Sequence, residues 1–334
     1  MKYNNLLFII LLLISSCSKR NNGDNIDLND KGKLFFSQIV DSITYIQLET
    51  NEQCLLGEIS DLHFQNNIYY VYDRQTNSIY LFNEKGSFLN KISKYGRGPG
   101  EYVNLNSFFI DRDDNIHIND LTFKKVFVYD NKGAFLNEFW LDDYVRDFCV
   151  INNEYFLYMP DYNIDSKQGL YLYNKEDNQY EELLKIEGKN KFSVQWFITS
   201  LGENDNFSVV NNLNNDVHYF NQNGVFETRE FHFSPLAHEM DENENAYSLA
   251  FYNESGNFMM WTFASIIPGN GVKIYLYNKK KVRGKVYDSI NNDIDNRELG
   301  IPTRFSNNNR FIFWSNNNDE ESNPILQILH LKQS

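Results

Sequence analysis

The sequence predicts an all-β chain folded as a six-bladed β-propeller, with four-stranded antiparallel blades and a ring closed by an N-terminal strand. Three observations carry this. Hairpin units recur along the chain at intervals of about 40–50 residues, each unit holds about four strands, and no helical period competes after the leader. The composition agrees: 27 Phe, 22 Tyr and only 6 Pro in 334 residues favour strands joined by Asn-rich turns.

One hairpin shows the period directly. Ile79–Leu89 (IYLFNEKGSFL) and Val126–Leu136 (VFVYDNKGAFL) are each an alternating strand, a turn on Asn/Asp-x-Lys-Gly and the start of a second strand, 47 residues apart. The pattern returns at Leu170–Tyr180, Val217–Phe226 and Ile274–Val282. A second hairpin precedes each of these, at Ile59–Asp73, Phe108–Asp120, Phe148–Met159, Phe197–Val210 and Leu249–Thr262, and a sixth stands alone at Arg304–Ser315. The sixth unit is short, since only Ile325–Leu331 follows it. Ile43–Leu48, near the start, is a spare strand that would complete that blade from outside and remove an exposed sheet edge. A pair of β-sandwiches is the competing architecture, and the regular spacing disfavours it.

The leader specifies an address. Leu6–Ile14 is an unbroken apolar run after Lys2, shorter than the roughly 20 residues that span a bilayer and suited to a signal peptide. Leu13-Ile14-Ser15-Ser16-Cys17 resembles a bacterial lipobox, which implies a leader over residues 1–16 and lipidation of Cys17. Residues 17–40 then read as the lipidated Cys and a flexible tether, and 41–334 as the propeller. Ser18 after the Cys implies an outer-membrane lipoprotein. Lys19 and Arg20, in place of the acidic residues typical of surface-exported Bacteroidetes lipoproteins, point to the periplasmic face. The membrane is touched through this lipid anchor only. Cys54 and Cys149 are too few for a disulfide framework and read as buried free thiols.

Charge excludes a class of partner. With 31 Lys and Arg against 45 Asp and Glu, the net charge of −14 is opposite to the basic field of a nucleic-acid binder.

The second unit, Lys94–Phe139, carries Gly96, Gly98, Pro99, Gly100, Glu101 and Tyr102, then Asp111, Asn115 and Asp120, then Lys125, Val126, Tyr129, Asp130 and Gly133. This pattern resembles the NHL repeat, and with the leader the chain is similar to six-bladed propeller lipoproteins of Bacteroidetes. That resemblance implies a fold and little chemistry. The Gly96–Gly100 segment lacks the Lys-Ser/Thr and the following helix of a phosphate loop, so it reads as the turn between two blades.

Propeller geometry then locates a site. With strands a to d antiparallel, the b–c turns and the crossings from d to the next a share one face of the disc, here called the mouth. Loops on a rigid scaffold commonly carry binding. The crossings offer Arg97, Tyr102, Tyr144, Arg146, Trp196 and Arg304; the b–c turns offer Asp73, Arg74, Asp120, Asp161, Tyr162 and Trp261. Arg forks suit carboxylates or phosphates, and aromatic faces suit sugars or side chains. Each Arg could instead pair with a nearby Asp, and each Trp could pack between blades. No catalytic constellation, cofactor fingerprint or metal-ligand spacing stands out: the six His are scattered, and His63 and His117 occupy similar strand positions. The acidic run His238–Glu244 could hold a cation but reads first as a solvated loop.

The leading expectation is a tethered binding module with no cofactor, presenting one loop-rich face to a polar small molecule, glycan, peptide or envelope protein. The alternatives are a metal-assisted lyase or hydrolase in the central channel, and a non-catalytic scaffold of an envelope complex.

Overall fold

The computed structural model describes residues 25–151, 154–159, 169–185, 196–200, 206–213, 215–221, 224–239, 246–269, 271–303, 309–316 and 322–333. Six four-stranded antiparallel sheets form the blades of a β-propeller. Strands a to d are Ile59–Gln65, Ile68–Asp73, Ser78–Asn83 and Phe88–Ile92 in blade 1, and Leu105–Ile110, Ile116–Asp120, Lys125–Tyr129 and Phe135–Trp140 in blade 2. Blade 3 runs from Asp147–Ile151 to Gln179–Lys185, blade 4 from Trp196–Ser200 to Gly224–Arg229, and blade 5 from Tyr247–Glu254 to Arg283–Tyr287. Blade 6 takes Ile301–Pro302, Arg310–Ser315 and Ile325–Leu331 from the C-terminal end and Val40–Gln47 as its outermost strand. The ring is therefore closed by the N-terminal strand, with Tyr45 opposite Gln327 and Ile43 opposite Leu329.

The c–d hairpins repeat in atomic detail. Asn83 Oδ1 accepts the amides of Lys85 and Ser87, and Asp130 Oδ1 accepts those of Lys132 and Ala134. Gly86 and Gly133 sit at φ of +85° and +84°, and the strand register shifts beside each turn, as in a type I turn with a glycine bulge. The Asn/Asp-x-Lys-Gly signature thus encodes both a side-chain cap and a left-handed backbone.

Each blade presents apolar side chains on both faces, and among the described residues five buried clusters fill the wedges between neighbours. Tyr70, Ile79, Phe108 and Ile118 join blades 1 and 2, while Leu62, Tyr80, Ile312 and Leu326 join blades 1 and 6. No blade covers its own faces, which makes the ring one unit.

Residues 25–39 are no flexible tether, contrary to the sequence-based expectation for 17–40. Asn25–Asp27 pairs in parallel with His232–Ser234, in the crossing from blade 4 to blade 5. Lys33–Phe35 pairs in parallel with Ser289–Asn291, in the crossing from blade 5 to blade 6. Ile26 and Leu28 are buried in the blade 4–5 wedge, and Leu34 and Phe36 in the blade 5–6 wedge. The arm is polar on average. Its few apolar residues are the ones the wedges lack, and strand addition satisfies its backbone. Among the described residues, no helix is long and apolar enough to cross a membrane.

Candidate functional site on the mouth face

Asp73 and Asp120 end the b strands of blades 1 and 2 with no solvent exposure. The Asp73 carboxylate accepts the amides of Gly57, Glu58 and Gln75 at 2.9–3.1 Å and the Thr76 hydroxyl at 2.9 Å. Asp120 accepts the amides of Val103, Asn104, Thr122 and Phe123 at 2.7–3.1 Å. A carboxylate has about four acceptor sites, so both are fully used in tying a crossing to a b–c turn. Neither is available to a ligand.

Tyr102 is also sealed. Its hydroxyl lies 3.0 Å from the Asn77 carbonyl and 3.3 Å from that of Ile92, and burial pushes the phenol pKa far up. Trp261 is wholly buried against Phe231 at 4.6 Å and Tyr252 at 5.0 Å between ring centroids. Its indole packs a wedge and offers no face to the mouth.

Three predicted arginines do reach solvent. Arg74 holds Glu58 through two hydrogen bonds of 2.6 and 3.2 Å. Arg146 is exposed, and its backbone carbonyl accepts the Asn106 side-chain amide. Arg97 is exposed in the glycine-rich crossing and has no ion pair among the described residues. Trp196 opens the innermost strand of blade 4, paired in register with Asn211, but its side chain lies outside the described residues. Asp161, Tyr162, Arg304 and Cys17 also lie outside them.

The glycine-rich crossing is a self-filled turn. Glu101 accepts the Gly98 amide at 2.8 Å, where a phosphate oxygen would have to sit. A Cβ on Gly96 would fall 1.9 Å from the Glu101 carboxylate, and Gly100 holds φ at +68° against the Phe135 ring. Tyr129 donates to the Gly100 carbonyl at 2.8 Å.

Sequence reasoning missed the most exposed aromatics of this face. Tyr95 is 70% exposed on the blade 1–2 crossing, and Trp140 is 64% exposed at the end of strand d of blade 2. Tyr144, which the sequence does place on the blade 2–3 crossing, is 43% exposed. Trp140 stands opposite Lys125, whose ammonium is 4.0 Å from the indole centroid and paired with Glu138. The ammonium of Lys124 is 4.1 Å from the Tyr144 ring centroid. The available signal was position: a Trp ending an outermost strand has no next strand to cover it.

A second set of buried ionisable groups, besides Asp73 and Asp120, lies away from this rim. Asp111, His117 and Tyr155 form a chain between blades 2 and 3, with Oδ2–Nε2 at 2.9 Å and Nδ1–hydroxyl at 3.1 Å. Burial alone would raise the Asp111 pKa, but hydrogen bonds from His117 and Asn115 outweigh it and hold the carboxyl below its usual range. His63 is likewise a buried strand residue, 4.3 Å from Phe108 between ring centroids. Glu254 is buried with Tyr252 at 2.6 Å, Tyr219 at 3.0 Å and the Lys279 ammonium. No group of metal-ligating side chains occurs among the described residues. Two open grooves face away from the mouth. One of about 570 Å³ is bordered by Asp41, Arg310, His330 and Lys332, and one of about 420 Å³ by Ile68, Leu89 and Asn131.

Among solved structures, a protein of Bacteroides fragilis described as exported superposes with a TM-score of 0.73 at 18% identity, covering 92% of this chain and 100% of its own. A DUF4221-family protein of Bacteroides vulgatus superposes at 0.59 with 10% identity, covering 88% of this chain and 97% of its own. At these identities the likeness is one of fold. No curated protein matches the sequence. The model of the family described as Domain of unknown function (DUF4934) matches residues 24–332, essentially the whole propeller with its N-terminal arm, and the chain belongs to that family.

Proposed function

We propose that this chain is an envelope lipoprotein, anchored at the outer membrane on the periplasmic side, that binds a polar partner at the blade 1–3 sector of its mouth face. The observation that carries this reading is the position of the arm. Asn25 enters the ring at the blade 4–5 crossing, and in a six-bladed ring that junction is diametrically opposite the blade 1–2 crossing with Tyr95 and Arg97. Cys17 and Asn25 are eight residue steps apart, a reach of roughly 28 Å when extended. A lipid on Cys17 would hold the blade 4–5 edge near the bilayer and turn the exposed Arg and aromatic residues away from it. The lipobox-like leader and the fold shared with a protein described as exported support the same address.

Two measurements test the reading. Cys17→Ser should move the protein from the membrane fraction to the soluble envelope fraction, and retention in the membrane would refute the anchor. The soluble chain should rise in melting temperature with an oligosaccharide or peptide from a mixed panel, since ligand at 100 times its Kd adds about 2.7 kcal/mol. Arg97→Ala with Arg146→Ala should weaken that response, and an unchanged response would refute the face.

A further inference from the structure

We infer that Trp140 and Tyr144 form a stacking platform for a neutral carbohydrate at the outer rim of blades 2 and 3. The inference rests on the reading of the mouth as the ligand face and names the ligand class for one part of it.

The two rings are exposed and also fixed. Trp140 is held in register opposite Lys125, and its carbonyl accepts the Tyr173 hydroxyl at 3.2 Å. The next amide, Leu141, donates to the Lys124 carbonyl at 2.7 Å. Lys124 and Lys125 are consecutive, and each sets its ammonium close to one of the two rings. An exposed aromatic that is already ordered binds without a large entropy loss on immobilisation. Each lysine lies over one of the two rings, and Trp140 and Tyr144 still expose 64% and 43% of their surface.

What surrounds the rings selects the ligand. Lys124, Lys125 and Arg146 are balanced in formal charge by Glu138, Asp142 and Asp143, so the rim is close to neutral in a chain of −14. A polyanion gains nothing there. A polyhydroxylated ring gains twice, by packing its C–H face on the aromatic surface and by donating hydroxyls to carboxylates. Asp142 and Asp143 flank the platform in sequence. Asp142 accepts from Asn178 at 3.2 Å through one oxygen, and Asp143 accepts the Tyr144 amide through one oxygen. Each keeps acceptor capacity toward solvent.

The test is affinity electrophoresis of the full-length soluble chain (Cys17→Ser) in gels holding dextran, laminarin, galactomannan or xyloglucan, with polygalacturonate as an acidic control. At least one neutral polysaccharide should retard the protein and protect it from acrylamide quenching of tryptophan fluorescence. Trp140→Ala should weaken retardation tenfold or more with its melting temperature unchanged. Trp140→Phe should keep most of the retardation, because it keeps an aromatic face. Retardation by no neutral polysaccharide, by polygalacturonate alone, or equally in the wild type and Trp140→Ala would overturn the platform. If Arg97→Ala and Arg146→Ala abolish a ligand response that Trp140→Ala leaves intact, the platform falls while the mouth-face reading stands.

Discussion

Asp73 and Asp120, 47 residues apart, perform the same task in successive blades: each gathers amides from the crossing that enters its blade and from its own b–c turn. The repeat in sequence is thus a repeat of one hydrogen-bonded knot. Asp73→Ala should destabilise the protein by about 2–4 kcal/mol, because several buried donors lose their acceptor at once. Asp73→Asn, which keeps one carbonyl oxygen, should cost less. Urea unfolding of both variants checks the order, and equal stabilities of wild type and Asp73→Ala would contradict it.

The N-terminal arm should behave as core. Phe36 is 2% exposed among Leu34, Met260, Phe311 and Leu329. Phe36→Ala is expected to cost about 3–5 kcal/mol, the range for truncating a buried Phe. A chain starting at Val40 should melt well below one starting at Asn25. Equal melting temperatures would show that the parallel pairings with Ser289–Asn291 and His232–Ser234 contribute nothing.

Stability should fall with acid through His218. Burial lowers its pKa from 6.5 to about 4. Between those values the unfolded chain binds a proton here that the folded chain does not, so protons favour unfolding as pH drops. One such group contributes at most about 1.4 kcal/mol per pH unit. His218→Gln should flatten the dependence of unfolding free energy on pH between 6.5 and 4. Parallel curves for variant and wild type would argue against this assignment.

The two propeller cysteines should be silent in the native state. Both are buried and free, the Cys54 thiol donates to the Glu49 carbonyl, and burial raises both thiol pKa values. In a Cys17→Ser chain, a thiol reagent should therefore find no reactive sulfur until denaturant is added, and then two. Rapid native labelling would refute the burial of at least one.

The blade count, the hairpin turns and the closing strand were all legible because each is written locally. Alternation with period two marks a strand, and Asn83 or Asp130 with the glycine three residues on marks its turn. The spare strand, read as Ile43–Leu48 and observed as Val40–Gln47, followed by subtraction, since blade 6 lacked one member. The glycine-rich segment was legible as a turn between blades, while the Glu101 carboxylate that fills it emerged only from the structure.

The sequence by itself determined the propeller and the face on which its long loops gather. Only the tertiary structure decided which residues of that face meet solvent. Asp73, Asp120, Tyr102 and Trp261 have the side chains of a binding site, yet each is consumed by partners brought in by folding: amides 15–17 residues away for the two aspartates, and a neighbouring wedge for the indole. Residues 25–39 look like a tether because their strand partners lie more than 200 residues away, and pairing at that distance leaves no local mark. Trp140 reads as core by composition and is exposed by position, since an outermost strand has no neighbour to bury it. Whether a polar or aromatic side chain serves a ligand is a question of unspent hydrogen-bonding and packing capacity, and that is settled only when the ring closes.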